Sequence, residues 1–122
     1  MSEIKQIEPN NWKTFLEEFS ERNNHRRARI DVYRNDGNAE EEQSEAHFEA
    51  ASLKENGDKH DVGIIRFDRS KAETEKMHDT ITNVIGIAVQ YDTDGSEDAL
   101  QITDQENELI SLRFESKVDG AS

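Results

Sequence analysis

The sequence contains no cysteine, and its apolar runs are short. Without cysteine the chain can form no disulfide bond, thiolate nucleophile or thiolate metal site, which fits a reducing cytoplasm. The longest strongly apolar stretch, VIGIAV at 84–89, is too short to span a bilayer, and the charged start MSEIKQIEPN lacks an apolar segment of signal-peptide length. We therefore expect a cytoplasmic protein that enters no membrane.

Basic residues are also scarce. The chain has 15 Lys and Arg against 28 Asp and Glu, for a net charge of -13. Because phosphate affinity depends on Lys and Arg, this balance argues against nucleic acid as a partner. Leu, Ile, Val and Phe number only 25, but they are grouped into short alternating runs between turn residues. The pattern predicts one folded domain over 1–122, with a short flexible tail at 117–122.

An N-terminal amphipathic helix is the clearest element. Its apolar residues are spaced i, i+3, i+4 and i+7: Trp12, Phe15, Leu16 and Phe19. Pro9 suits the first turn, and Asn10 or Asn11 can cap it. The spacing predicts a helix over about 9–22 whose four apolar residues belong to the core.

Strand periodicity follows the helix. Ala28, Ile30 and Val32 alternate with Arg29, Asp31 and Tyr33. The acidic stretch at 39–45 is interpreted as a loop leading into a short strand at 46–53, and DVGIIRF at 61–67 as a central strand. Ser70 and Glu73 have capping-box spacing that allows a turn or two. The state of 39–50 and of 70–79 stays open between helix, strand and loop.

The second half of the chain predicts one long strand and a hairpin. The long strand is marked by Ile81, Ile85, Ile87, Val89 and Tyr91, with Gly86 permitting a bulge or a close backbone approach. The hairpin pairs Leu100 and Ile102 with Ile110, Leu112 and Phe114. Short polar connections favour antiparallel neighbours. The predicted fold is α+β, with the N-terminal helix packed on a mostly antiparallel sheet of about six strands that can curl into a half-barrel.

Three segments carry a partial family resemblance. They are the motif W-x-x-F-L-x-x-F-S-x-R at 12–22, the strand RIDVY at 29–33 and the hairpin ALQITDQENELISLRF at 99–114. In these the chain resembles small uncharacterised bacterial proteins, the domain-of-unknown-function family numbered 5335. His78 also stands where members tend to have a histidine. The resemblance implies a shared fold and a bacterial, cytoplasmic setting, and it transfers no catalytic residue.

Two clusters are candidate binding sites. An anion such as a phosphate or carboxylate could be bound by the guanidinium groups of four arginines: Arg22, Arg26, Arg27 and Arg29. His78 and Tyr91 could add two polar groups in a pocket between helix and sheet. The favoured alternative is helix termination and charge compensation. A hard cation such as calcium could be held by one acidic turn: Asp92, Asp94, Glu97 and Asp98. Its spacing is incomplete for a calcium loop, so a solvated hairpin tip is favoured.

No catalytic residue can be named. The four histidines are too far apart in sequence to show ligand spacing: His25, His47, His60 and His78. The chain has no phosphate-binding glycine loop and no serine elbow, and carboxylates are too abundant to single out a pair. No cofactor is expected. The leading hypothesis is a non-catalytic interaction protein that forms a homodimer or docks another protein; the alternative is a small-ligand or metal-ion binding module, ahead of an enzyme.

Overall fold

The computed structural model describes residues 3–34, 37, 39–41, 46–68 and 76–115. A single 3-10 turn at Pro9–Asn11 leads into one α-helix, α1 at Trp12–Asn23. The strands, in chain order, are β1 Glu3–Gln6, β2 Arg27–Tyr33, β3 Ala39–Glu41, β4 Ala46–Asn56, β5 Lys59–Phe67, β6 Met77–Ile81, β7 Val84–Tyr91, β8 Glu97–Asp104 and β9 Leu109–Phe114.

All strand pairs of the sheet are antiparallel within the described ranges. Eight strands lie side by side in the order β1-β7-β8-β9-β2-β4-β5-β6, and the short β3 pairs with the end of β2 that β4 leaves uncovered. The sheet is open, because β1 and β6 each have one strand neighbour. The predicted α+β class and helix-on-sheet packing are confirmed, whereas the expected count of about six strands was too low.

The core lies between α1 and one face of the curled sheet. Leu16 and Phe19 on the helix are fully buried. The centre of the Phe19 ring lies 5.7 Å from the ring centres of Phe48 in β4 and Phe114 in β9. These strands flank β2, where the small side chain of Ala28 lies in register with Phe114. The small residue leaves room for the three rings. Phe15, predicted to be core, is only partly buried at the margin of the cluster.

Two hydrogen bonds fix the helix against its neighbours. The amide of Ala51 in β4 donates to the Ser20 hydroxyl oxygen at 2.9 Å, and the Trp12 indole N–H donates to the carbonyl of Ile7 at 3.0 Å. Asn11 precedes the helix but makes no side-chain capping bond. The helix N-terminus is therefore held through Trp12 rather than through the asparagine cap predicted from the sequence.

A bend at Asn83 divides the predicted long strand into two strands, and a β-bulge lies near the start of the second. The chain reverses at Asn83, which has a positive φ of 55°, so Ile81 ends β6 while β7 begins at Val84. The register of β7 on β8 then shifts between Val84 and Gly86, so the extra residue Ile85 is exposed. A Cβ at Gly86 would meet Thr103 at an ordinary 3.8 Å. Gly86 thus lies in a bulge, as one alternative predicted, and not at a close backbone approach.

Other boundaries also differ from the prediction. The strand expected at 46–53 continues to Asn56, and Ala39–Glu41, interpreted as loop, pairs with β2. Strand β1 was missed because its residues EIKQ are all exposed and show no apolar alternation. In the segment 70–79, Met77–Asp79 belong to β6, whereas Ser70, Glu73 and the predicted tail at 117–122 lie outside the described residues.

Substitution of Phe19 should test the core directly. Phe19→Ala removes a fully buried ring that contacts Phe48 in β4 and Phe114 in β9, the two strands beside β2. We expect it to lower the free energy of unfolding by about 3 to 5 kcal/mol. Phe15→Ala is the matched control one helical turn earlier, and it should cost clearly less because Phe15 is only partly buried. Urea unfolding of both variants measures the difference; equal losses would contradict the proposed centre of the core.

Candidate functional site

Residues from both predicted sites meet at one place, where the end of α1 lies beside the β7–β8 turn. The Glu97 cluster consists of Arg22, Asn23, Arg26, Tyr91 and Glu97. Arg22 and Arg26 come from the predicted anion site, and Glu97 comes from the predicted cation site. The two sets of opposite charge are therefore in contact with each other.

Glu97 is the centre of the cluster. Its side chain is only 8 % exposed and accepts hydrogen bonds from Arg22 Nε at 2.8 Å and Arg22 Nη2 at 2.9 Å, each on a different carboxylate oxygen. Asn23 Nδ2 donates to the same carboxylate at 3.0 Å. A bidentate guanidinium pair supported by an amide is the geometry that compensates a buried carboxylate. The carboxylate is thereby stabilised without an external ligand.

The end of the helix explains how these groups reach one point. Asn23 is buried and its Nδ2 donates also to the carbonyl of Phe19, one helical turn earlier, at 2.9 Å, which fixes the amide against the helix. His25 follows with a positive φ of 75°, in the left-handed region that ends helices. The chain then turns into β2, and Arg26 faces back toward Asn23, whose Oδ1 accepts from Arg26 Nη1 at 2.9 Å.

Arg26 joins three parts of the fold. Its Nη1 donates to the Glu97 carbonyl oxygen at 2.6 Å, its Nη2 donates to the Glu115 carbonyl oxygen at 3.2 Å, and its guanidinium lies 4.4 Å from the centre of the Phe114 ring. Burial lowers the pKa of Arg26, whereas the hydrogen bond that Arg22 donates to Glu97 raises the pKa of Arg22. Both start from a value far above neutrality, so both arginines carry their charge near pH 7.

A hollow of about 350 Å³ lies beside the cluster. Its lining is Arg22, Asn23, Tyr91, Gly95, Ser96 and Glu97. Tyr91 is the predicted pocket residue that the structure places here. The hollow is shallow, and the charges on its wall already pair with one another, so a ligand would have to compete with the Arg22–Glu97 pair.

The remaining predicted arginines lie on β2, away from the hollow. Arg27 is 3.7 Å from Glu115, and Arg29 is 3.5 Å from Asp31. Asp31 also faces Arg113 at 3.9 Å across the β2–β9 pair. The four arginines of the predicted anion site are thus each beside an acidic side chain or a carbonyl oxygen, and they do not converge.

The acidic turn is organised by its own hydrogen bonds. Asp92 Oδ1 accepts from the Thr93 amide at 2.7 Å, and Asp94 Oδ1 accepts from the Ser96 amide at 2.9 Å and from its hydroxyl at 2.6 Å. Asp98 faces Arg113 at 3.8 Å. With Glu97 bound by Arg22, the four carboxylates of the predicted cation site are each directed to a different partner.

The histidines are dispersed. The rings of His25 and His47 both pack on Phe67, with distances of 5.7 and 5.5 Å between ring centres. The ring of His60 lies edge-on to Trp12, with 5.7 Å between the ring centres. His78 is exposed on the edge strand β6 and does not reach the hollow. The structure therefore separates His78 from Tyr91, which the prediction grouped in one pocket.

Sequence reasoning missed three features. The buried amide of Asn23 binds the Glu97 carboxylate, and Arg66 in the apolar strand β5 is fully buried beside Asp79 at 3.1 Å. A third feature is an acidic group at the β8–β9 turn: Asp104, Glu106 and Glu108 each bring one carboxylate oxygen within 4.8 Å of the others. The alternating acids in TDQENEL are the signal that could have found it. Asp104 Oδ1 accepts two amides of that turn, at 2.9 and 3.0 Å.

Comparison with known proteins adds no identification, because no protein-family model, curated protein or solved structure matches the chain. The resemblance to the uncharacterised bacterial family therefore stays a prediction. Among the described residues, no helix has the length and apolar character needed to cross a membrane.

The Glu97 cluster should contribute to stability. Glu97→Gln keeps the shape but removes the charge that Arg22, 46 % exposed, pairs with. We expect a loss of about 1 to 3 kcal/mol in the free energy of unfolding. Glu18→Gln is the matched control: it removes the other carboxylate near Arg22, at 3.7 Å but 62 % exposed, and should cost under about 0.5 kcal/mol. Chemical unfolding measures both, and similar small losses would show that burial of Glu97 does not strengthen the pair.

Proposed function

We propose that this chain is a non-catalytic bacterial cytoplasmic protein that acts by binding, and that its first partner is a second copy of itself. One observation carries the proposal. The sheet ends in the strand β1, whose four side chains are all exposed, including Ile4 at 55 %. Proteins that associate through sheet edges use an edge strand of this kind, with an exposed apolar side chain.

The backbone of an edge strand supplies the attraction. No other strand of the described ranges pairs with the outward N–H and C=O groups of β1. These groups can pair with another strand of any sequence, while the side chains decide which one is accepted. Ile4 lies in register with Gln90 of β7, on the side of the sheet away from the core. In a chain with so few large apolar residues, its exposure supports an interface here.

Charge also favours this edge. Each copy carries a net charge of -13, so two copies repel each other over most of their surface. Strand β1 has one acid, Glu3, and one base, Lys5, and so no net charge. It is a place where two acidic molecules can approach with little local repulsion.

The chemistry of the Glu97 cluster supports a non-catalytic role. A general acid or base needs a titratable group directed at a substrate. Here the carboxylate of Glu97 accepts from Arg22 and Asn23, and Arg26 donates to backbone carbonyls. These polar groups are therefore engaged in hydrogen bonds within the fold.

A small-ligand module is the second candidate, favoured by the position of the hollow. Arg22 and Tyr91 line the 350 Å³ space at the border of helix and sheet, which is where such a module was predicted to hold its ligand. The chemistry of the wall suits a small polar molecule that can exchange hydrogen bonds with the Arg22–Glu97 pair.

Native mass spectrometry distinguishes the two candidates. The protein is purified without chelators or tags, and spectra are recorded across a hundredfold range of concentration at moderate ionic strength. We expect a bare monomer at low concentration and a bare dimer at high concentration. A reproducible added mass on the monomer, without a dimer at any concentration, would contradict self-association and favour the ligand module.

A further inference from the structure

We infer that two copies join through β1 in one antiparallel register, centred on Ile4, with Glu3 of each copy opposite Lys5 of the other. This inference rests on the proposed self-association and specifies its geometry. The pairing is isologous, because the same strand serves on both sides of a twofold axis. It extends the sheet of one copy into the sheet of the other.

The hydrogen-bond pattern of β1 restricts the possible registers. Ile7 donates its backbone N–H to the carbonyl of Ile87 at 2.9 Å, in line with the pairing of Gln6 with Ala88. In an antiparallel ladder, residues alternate between facing one neighbour and facing the other. Glu3 and Lys5 therefore face β7, like Ile7, while the backbone groups of Ile4 and Gln6 point out of the open edge.

Only registers that bring outward groups together can form a ladder. A twofold axis at Ile4 makes the two Ile4 residues a hydrogen-bonded pair, with two reciprocal N–H···O bonds. An axis at Lys5 satisfies the same rule by pairing Ile4 with Gln6. If the register is shifted by a single residue, the outward N–H and C=O groups of one strand lie opposite residues of the other strand whose backbone groups face β7.

Charge and strand length select among the permitted registers. An axis at Glu3 would set Glu3 against Glu3, and an axis at Gln6 would pair Ile4 with Glu8, beyond the end of β1. With the axis at Lys5, the two ammonium groups lie directly opposite each other, which is unfavourable. With the axis at Ile4, Glu3 lies opposite Lys5 twice, once on each side of the axis. A lysine on an edge strand usually discourages pairing, but in this register each lysine meets a glutamate. The sequence EIK is thus self-complementary when read antiparallel.

The side chains of the same register also fit. Ile4 lies in register with Gln90 and so projects from the sheet face opposite the core, whereas Lys5 lies in register with the buried Val89. The two Ile4 side chains meet at the axis on the outer face, and the charged pairs form on the other face. Because β1 spans four residues, the interface is small and its dimer should be reversible.

Charge reversal tests this register. Glu3→Lys sets Lys against Lys twice, and Lys5→Glu sets Glu against Glu twice. We expect each single variant to dimerise roughly tenfold or more weakly than the wild type. Glu3→Lys also lowers the net negative charge of the chain, so a weaker dimer cannot come from overall repulsion. All the altered side chains are exposed, and unchanged circular dichroism and melting should confirm folding.

Mixing the two charge-reversed variants gives the decisive measurement. An equimolar mixture of the two single variants should form a heterodimer with near wild-type affinity, because each Lys again meets a Glu, and the double variant Glu3→Lys/Lys5→Glu should form a homodimer. Glu17→Lys and Lys13→Glu, on the exposed side of α1, are the matched controls. Their mixture should show no preferential heterodimer. Because Lys and Glu have nearly the same mass, one variant of each mixture is uniformly isotope-labelled, so that native mass spectrometry separates the heterodimer from both homodimers.

The outcomes separate this inference from the proposed function. A wild-type dimer whose affinity is unaffected by Glu3→Lys and Lys5→Glu would overturn the register and leave self-association standing through another surface. A wild-type chain that stays monomeric at every concentration would overturn both. A heterodimer that appears only from the β1 pair of variants would support both.

Discussion

The packing of Phe19 between Phe48 and Phe114 is the interaction on which the rest of the structure depends. The chain has too few apolar residues to cover both faces of an eight-stranded sheet, and α1 packs on one of them. With Phe19 held there, the C-terminal turn of α1 lies against the β7–β8 turn. This position allows Arg22 to pair with the buried carboxylate of Glu97.

The sequence was informative where a periodic pattern met a burial requirement. The stripe containing Leu16 and Phe19 identified the helix, and alternation identified the faces of β2 and of the last hairpin, because one side of each element faces the core. Strand β1 has no buried side chain and hence no pattern to detect. The break at Asn83 depends on a left-handed backbone conformation, and the shift at Ile85 depends on pairing with β8. Neither can be seen in one strand alone.

The candidate site shows a related limit. The arginines after the helix and the acids of the β7–β8 turn were recognised as two opposite-charge clusters 70 or so residues apart in the chain, and each could be interpreted as a site for a separate ligand. Only the tertiary fold reveals that Arg22, Asn23 and Arg26 bind Glu97. In a strongly acidic chain, arginines and buried carboxylates meet as structural partners, because the guanidinium compensates the desolvation of the carboxylate. The four histidines do not converge on one site either, because His60 lies beside Trp12 whereas His25 and His47 lie beside Phe67.

Association through the neutral edge strand is the central claim, and an isotope-filtered nuclear Overhauser experiment tests it most directly. Equal amounts of labelled and unlabelled protein are mixed at a concentration where the dimer is populated. Contacts between the two copies should appear between the Hα protons of Glu3 and Lys5, because such non-hydrogen-bonded antiparallel pairs have Cα atoms only about 4.5 Å apart. Contacts between copies that involve a different strand, or none at all in a sample of dimeric mass, would contradict the account.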